Sequence, residues 1–550
     1  MEYKQFKDPI YGYIRIPSKY VNEIIDTNIF QRLRRIVQTS YSPLYPSALH
    51  NRFVHSIGVF HLGQIASNAI LNTLKDMPAF EKIENLYDLI EIFKLACLLH
   101  DVGHAPFSHT GEKFFLDYSD ENKSYFKLHE MLASEVDSEQ FKNDIPKEDS
   151  NAAAPHEIMS SIIGIREFKD FFKSNFEREF FARCITGYKF SNDYEINSIY
   201  NCFISLVNSK VIDVDRLDYL IRDAYFTGFE TINIDYERLL NSLTIVEKEI
   251  PKGKDTVTKY EIAYNKNAVS IIENVVYAHD AERKWIQTHP IVLYDMYIIQ
   301  HVINSLNTSM ESNGVSLFSM EALSADGITT SSGEKISLLC DDDIVHLLKR
   351  NTNDELYNEF FSRNIRRHPL WKSESEYKAY LSIQYAGQAL EKLEKAIDET
   401  ETYLRKYSES WIINDIIIEK VESELERIKK SNPDALDEKS RNKQLKSKET
   451  ILKLMRCMKE YATSCECECN FVILKASQFY SSFNKNEFAK IPIVFQNKND
   501  DNIFDFGKVV SVLSSTSESK KDFFYIYFKP NKEKPFNKEE LCKKLYQAFM

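Results

Sequence analysis

Glycine and proline are scarce in this chain, 14 and 15 among 550 residues. That scarcity argues against disorder, low-complexity sequence and an all-β repeat protein. Cysteine is sparse too: nine residues, an odd number without framework spacing. A disulfide-stapled scaffold is excluded, and a reducing compartment is expected. No apolar run reaches the length of a membrane span. The first residues, Met1 to Asp8, are polar and charged, unlike a signal peptide. Positive charge is in deficit, with 70 Lys and Arg against 82 Asp and Glu, a formal net charge of −12. The chain as a whole therefore does not coat polyanions, and any anion binding must come from local basic clusters. What is abundant is core-forming material: 43% hydrophobic residues, 36 Phe and 31 Tyr. The length implies more than one domain, and the expected location is the cytoplasm, with no membrane contact.

Residues 10–310 read as mostly helical. Ile24 to Gln38 carries helix formers around Arg32, Arg34 and Arg35. His55 to Leu74 spaces Ile57, Phe60, Ile65 and Ile70 for one helix face, and Leu86 to Leu99 is a second apolar helix closed by Gly103 and Pro106. Lys210 to Tyr225 is a third, closed by Gly228. Residues 110–155 read as polar and loop-rich, and 245–265 as a β-hairpin. Residues 315–345 look like an irregular connection. From Tyr377 to Tyr461 rising charge, with an interruption at Pro433, predicts long solvent-bathed helices. Four short strands are expected after that, at Phe471–Leu474, Ile491–Phe495, Val509–Leu513 and Phe523–Phe528, with a closing helix from Lys538.

The residues with chemistry cluster in three segments. Leu99-His100-Asp101-Val102-Gly103-His104-Ala105-Pro106-Phe107-Ser108-His109 follows an apolar helix. A helix that apolar is buried, and a charge at its end needs a partner or a metal; a capped helix with solvated polar residues is the bland alternative. Imidazole with carboxylate suits Mn, Fe, Ni, Zn or Mg. His55 opens another apolar helix, where a lone histidine also reads as a packed core residue. The third segment, Val211 to Asp223, holds four carboxylates and two arginines. Asp215, Tyr219 and Asp223 share one helical face there, and a salt-bridged structural helix is the other reading.

Together these segments resemble the HD superfamily, whose signature is H…HD…D. The nearest resemblance is to its deoxynucleoside triphosphate triphosphohydrolases. Asp8-Pro9-Ile10-Tyr11-Gly12, Ile25-Asp26-Thr27, Phe30-Gln31-Arg32-Leu33-Arg34, His50-Asn51-Arg52-Phe53 and Ile212-Asp213-Val214-Asp215 occur in the family's order, over residues 6–310. The resemblance implies a mainly α fold: an all-helical HD-domain catalytic core over 1–310, extended by 311–375. A charged helical region at 376–460 and a small α/β C-terminal region at 461–550 would follow.

It also implies site roles. His55, His100, Asp101 and Asp215 match the ligands of a divalent metal (Mn, Mg, Fe, Ni or Zn). His104 and His109 match active-site histidines, and a further one stands in a His-Glu dipeptide, where His156 fits better than His129. Arg52 and Arg216 match phosphate-binding positions, while Gln38, Tyr219 and Asp223 match groups around the sugar. Asp26 and Arg34 match positions that read an activating nucleotide in regulated, oligomeric relatives. Where the family places arginine, histidine and tyrosine at intervals of four, this chain has His279, Arg283 and Gln287, so Arg283 keeps the positive charge.

The activity so implied is hydrolysis of a dNTP to deoxynucleoside and inorganic triphosphate, in control of precursor pools or in defence against phage. An HD-type phosphodiesterase on cyclic or monophosphate nucleotides is the near alternative. A non-catalytic regulator that binds nucleotide or single-stranded nucleic acid is the distant one. Cys465, Cys467 and Cys469 would share one face of a strand, with no fourth ligand for a metal. The basic runs Lys429-Lys430 and Lys443 to Lys448 read as solvated helix surface.

Overall fold

The computed structural model describes the chain apart from residues 1, 41, 116–123, 147–151, 193, 230–232, 253–254, 312–316, 330–332, 351–354, 386, 408–410, 431–437, 478–484, 496–501, 511–521 and 530–535. Helices dominate, as the apolar periodicity predicts. None among the described residues is long and apolar enough to cross a membrane. The chain divides into two compact units, each assembled from separate stretches: 1–282 with 303–350 and 481–517, and 283–302 with 351–480 and 518–550.

The first unit opens with an antiparallel hairpin, Tyr3–Asp8 and Gly12–Pro17. Its centre is the helix Arg52–Leu74, started by Asn51, whose side chain accepts from the Val54 N–H. This helix packs on Leu86–Leu99 and on Val214–Thr227, and Leu86–Leu99 packs in turn on Asn175–Thr186. Close approach depends on small residues. A Cβ at Gly63 would lie 2.6 Å from Cys97 Sγ. Leu86–Leu99 is buried on nearly every face, from Leu86 through Leu99. Asp213 caps Val214–Thr227 by accepting the Arg216 N–H, and Gly228, at φ +69°, ends it in the left-handed conformation.

Several expectations need correction. The stretch 110–155 is less loop-rich than its polarity suggests, since it holds the helices Ser124–Val136 and Glu139–Asp144. The connection 315–345 carries the short helix Met320–Leu323 and a two-stranded pairing of Ile328–Thr329 with Lys335–Ile336. The charged helices Gln388–Tyr407, Asp415–Lys430 and Glu438–Ser464 pack on one another rather than standing in solvent. Leu393, Ile397, Val421, Leu454, Met455 and Met458 are buried there, and charged pairs such as Arg456–Glu422 and Lys459–Asp415 lie outside. Pro433 falls outside the described residues.

The tail does not form a sheet of its own, because strands this short need partners. Pro492–Val494 pairs in parallel with the hairpin Leu243–Lys252/Asp255–Asn265 of the first unit, in the order 503–505, 492–494, 255–265, 243–252. Phe471–Ser477 and Asp522–Phe528 pair in the second unit, flanked by Ile412–Ile413 and His368–Pro369. Val509 ends a helical turn, Phe506–Val509, where a strand was expected, and residues 511–513 of that expected strand lie outside the described residues. The closing helix runs Lys538–Phe549. Cys465 to Cys469 form a turn and loop, so their thiols share no strand face. Cys469 Sγ and Cys467 Sγ instead donate to the carbonyls of Ile413 and Cys465.

Candidate active site

His55 stands in the first turn of Arg52–Leu74, with its side chain fully buried. His100 and Asp101 leave the end of Leu86–Leu99, and Asp215 sits in the first turn of Val214–Thr227. The fold brings all four together. His55 Nε2 lies 3.2 Å from His100 Nε2, 2.9 Å from Asp215 Oδ1 and 3.5 Å from Asp101 Oδ2. His100 Nε2 lies 3.5 Å from Asp101 Oδ1 and 3.6 Å from Asp215 Oδ1. The Asp215 side chain is 37% exposed, which leaves the centre open on one side.

The tautomers decide what the centre needs. His55 Nδ1 is 2.7 Å from an Asp218 carboxylate oxygen, and His100 Nδ1 is 3.0 Å from the Cys97 carbonyl. Both partners are pure acceptors, so each Nδ1 carries the proton. Each Nε2 then faces the other across the centre. At 3.2 Å the two nitrogens have room for one cation between them, a proton or a metal ion. Donor separations of 2.9–3.6 Å suit an ion with bonds of about 2.0–2.2 Å to imidazole and carboxylate. The donor set thus fits a divalent metal. Burial disfavours charge on His55, but its hydrogen bonds to Asp215 and Asp218 and their charges raise its pKa to about 10. A proton therefore competes with a metal for this place.

A second cluster adjoins the first. Glu112 Oε1 lies 2.7 Å from His109 Nδ1, 3.1 Å from His156 Nδ1 and 3.3 Å from His104 Nδ1. His156 comes from the helix Pro155–Glu167 and stacks on His104 at 4.3 Å. His129 is not part of this group; its Nε2 pairs with the Tyr188 hydroxyl at 2.6 Å. Asp101 joins the two clusters, since its Oδ1 is also 3.3 Å from His104 Nε2. Burial and then Arg52 push the His104 pKa well below its ordinary value, so this ring is neutral. Burial acts on His156 in the same sense, but the Glu112 charge overrides it and raises the pKa to about 9. His109 is the exposed member, with 58% of its side chain accessible.

The connecting loop is strained. Phe107 and Ser108 have φ of 56° and 53°, a region costly for residues with a Cβ. Buried bonds hold them: Phe107 N–H donates to Asp341 at 2.6 Å, and Ser108 Oγ donates to the Val37 carbonyl at 2.5 Å. Burial raises the Asp341 carboxyl to about 7, against these backbone donors.

The family model described as HD domain matches residues 52–189. The chain contains an HD domain. The matched stretch holds both histidine clusters, while Asp215 lies beyond it. The uncharacterised protein MG461 of Mycoplasma genitalium is 31% identical over 277 residues, 50% of this chain and 53% of its own length. The deoxynucleoside triphosphate triphosphohydrolase SAMHD1 of Gallus gallus is 30% identical over 276 residues, 48% of this chain and 41% of its own length. The chain spans about half the length of the curated relatives it matches. A crystal structure of a hypothetical protein from Aquifex aeolicus superposes with a TM-score of 0.53 at 17% identity, over all of both chains. That likeness concerns the fold alone.

Around the HD domain's two clusters, the remaining residues singled out from sequence fall as follows. Arg52 is buried and committed: it donates to Asp101 at 2.8 Å, Ser108 Oγ at 2.9 Å and the Gln38 carbonyl at 3.1 Å. Its charge is the largest influence that keeps Asp101 ionised against the cost of burial. Arg216 donates to the carbonyls of Ser209 and Val211 and pairs with Tyr219. Asp223 is bonded to His50 Nε2 at 2.6 Å, and the His50 carbonyl accepts the Gln38 N–H at 3.0 Å. Asp26 lies 3.6 Å from Lys4 Nζ, while Arg34 covers the Phe53 ring at 3.5 Å. Arg283 opens the turn Arg283–Gln287 in the second unit. Sequence reasoning missed Glu112, Asp218 and Asp341. Only Glu112 carried a local signal, three residues after His109 in one helical turn.

Two outcomes follow. His100→Ala and Asp101→Ala proteins, purified as the wild type, should each lose the bound divalent metal in elemental analysis; full occupancy in both would remove the assignment. Glu112→Gln should lower the His156 pKa from about 9, because burial then meets only the weaker opposition of Glu157 and Asp101. An NMR titration of the imidazole resonances checks this, and an unchanged midpoint would contradict the role of Glu112.

Proposed function

We propose that this chain is a metal-dependent hydrolase that cleaves deoxynucleoside triphosphates to deoxynucleoside and inorganic triphosphate. One observation carries the reading: Asp101 bridges a cation-demanding centre to a histidine–glutamate cluster whose outermost ring, His109, faces solvent. Similarity over half the chain to proteins named as deoxynucleoside triphosphate triphosphohydrolases supports the choice of substrate.

A divalent cation held by His55, His100, Asp101 and Asp215 would supply Lewis-acid polarisation of a phosphoryl group and lower the pKa of water. The chain's own groups supply the rest. Glu112 Oε1 stands 2.7 Å from His109 Nδ1 and anchors that ring. As water attacks the α-phosphorus and the bond to the 5′-oxygen breaks, His109 as imidazolium would donate its Nε2 proton to that departing oxygen. General acid help of this kind contributes about 10²–10⁴-fold. His104 lies 3.3 Å from both Asp101 and Glu112 and so stands between the two clusters. Arg52, bonded to Asp101, and Arg216, next to Asp215 in sequence, would supply positive charge for a substrate with several phosphates. Gln38, Tyr219 and Asp223 would line the sugar, with Asp223 oriented by His50.

The test is product analysis. The protein is incubated with each dNTP, NTP and cyclic nucleotide plus Mn or Mg, and the products are resolved by ion exchange. The expected result is deoxynucleoside and triphosphate in equal amounts from a dNTP. His109→Ala should lose about 10²–10⁴-fold in kcat while keeping its metal. Release of dNMP with pyrophosphate, or turnover confined to cyclic nucleotides, would contradict the reading.

A further inference from the structure

Behind His55 lies a buried run of charges that no reaction step uses. Asp218 Oδ2 accepts from His55 Nδ1 at 2.7 Å and from Arg222 Nε at 2.8 Å. Its Oδ1 accepts from Arg222 Nη2 at 2.9 Å and from the Tyr11 hydroxyl at 2.8 Å. Arg222 Nη1 in turn donates to Asp8 Oδ2 at 3.0 Å. The other oxygen of Asp8 accepts the N–H groups of Ile10 and Tyr11, at 2.8 and 3.1 Å, in the turn of the N-terminal hairpin. The side chains of Asp218 and Arg222 are 0% exposed. The helix that carries His55 makes room for them with Gly58, where a Cβ would lie 1.9 Å from Asp218 Oδ1.

Such a network is costly to bury, and hydrophobic side chains of like volume would hold a hairpin at least as well. Its geometry has a more specific consequence. Asp218 fixes the proton of His55 on Nδ1 and so keeps the Nε2 lone pair aimed at the centre. Both oxygens of Asp218 are in turn fixed by a guanidinium fork and a phenol, so the carboxylate cannot rotate away. Arg222 is held the same way by Asp8, which belongs to a different part of the chain.

We propose that Asp8, Tyr11, Arg222 and Asp218 form a positioning relay that sets the affinity of the His55 centre for its cation, making the N-terminal hairpin a working part of the metal site. The inference rests on the metal reading given above. None of the four touches the four ligating atoms except through His55. They are positioning residues, and their signature is cation affinity in a folded protein.

The experiment is a titration of the full-length, metal-stripped protein with Mn(II), following free Mn(II) by electron paramagnetic resonance. Circular dichroism establishes that each variant is folded. Gly58→Ala drives a methyl into Asp218 without altering any ligand, and Tyr11→Phe removes one hydrogen bond and no charge. Gly58→Ala and Asp218→Asn should weaken Mn(II) binding about 10–100-fold. Tyr11→Phe and Asp8→Asn should weaken it in the same direction by less. If Gly58→Ala fails to fold, Tyr11→Phe and Asp8→Asn decide. Folded variants that bind Mn(II) as the wild type does would overturn the relay alone. Wild-type protein that binds no Mn(II), or binds it undiminished after His100→Ala, would overturn the metal reading and the relay with it.

Discussion

Two imidazole Nε2 atoms facing each other at 3.2 Å inside a helical core are the arrangement on which the site depends. Each ring is forced into it from behind, His55 by the Asp218 carboxylate and His100 by the Cys97 carbonyl. A cation placed between them would find further donors in Asp101 and Asp215. That donor set explains why so much charge is buried in an otherwise apolar helix cluster. Asp101 is kept ionised by Arg52, and Asp218 by Arg222. Each carboxylate would be expensive to bury alone.

Strain gathers at the same place. Phe107 and Ser108 hold positive φ between the His100-Asp101 pair and His109. Asp341, Val37 and Arg52 pin them there. The loop therefore presents His109 at a fixed distance from His104 and Glu112, rather than on a mobile arm. Preorganisation of this kind is what a proton donor needs if it is to act without reorganisation at the moment of reaction.

Much of this was legible in the sequence because the chemistry is local. The His-Asp pair is contiguous, and it follows the apolar run that buries it, Leu86–Leu99. The helix of Asp215 was readable from its apolar pattern and its Gly228 end. What stayed hidden comes from long range or from ordinary carboxylates. Asp341 reaches Phe107 across 234 residues, and nothing near it marks that use. Asp218 reads as one member of a salt-bridged helix until His55 is seen beside it. Three of the tail strands were readable as strands, but Ile503–Asp505 was not, and neither were the strand partners. Ile493 pairs with Tyr264, and Tyr527 with both Val472 and Pro369, so strands of one tail enter different sheets. The charged helices misled because charge density hides an apolar stripe that is only one face wide, as in Ile417, Val421 and Leu425.

The central claim is that the facing imidazoles of His55 and His100 hold a metal ion. Anomalous diffraction from crystals of the Mn(II)-loaded protein, measured near the manganese absorption edge, tests it most directly. The account predicts one strong peak within about 2.0–2.3 Å of His55 Nε2, His100 Nε2, Asp101 and Asp215. A peak instead among His104, His109, Glu112 and His156, or none at either cluster, would contradict it.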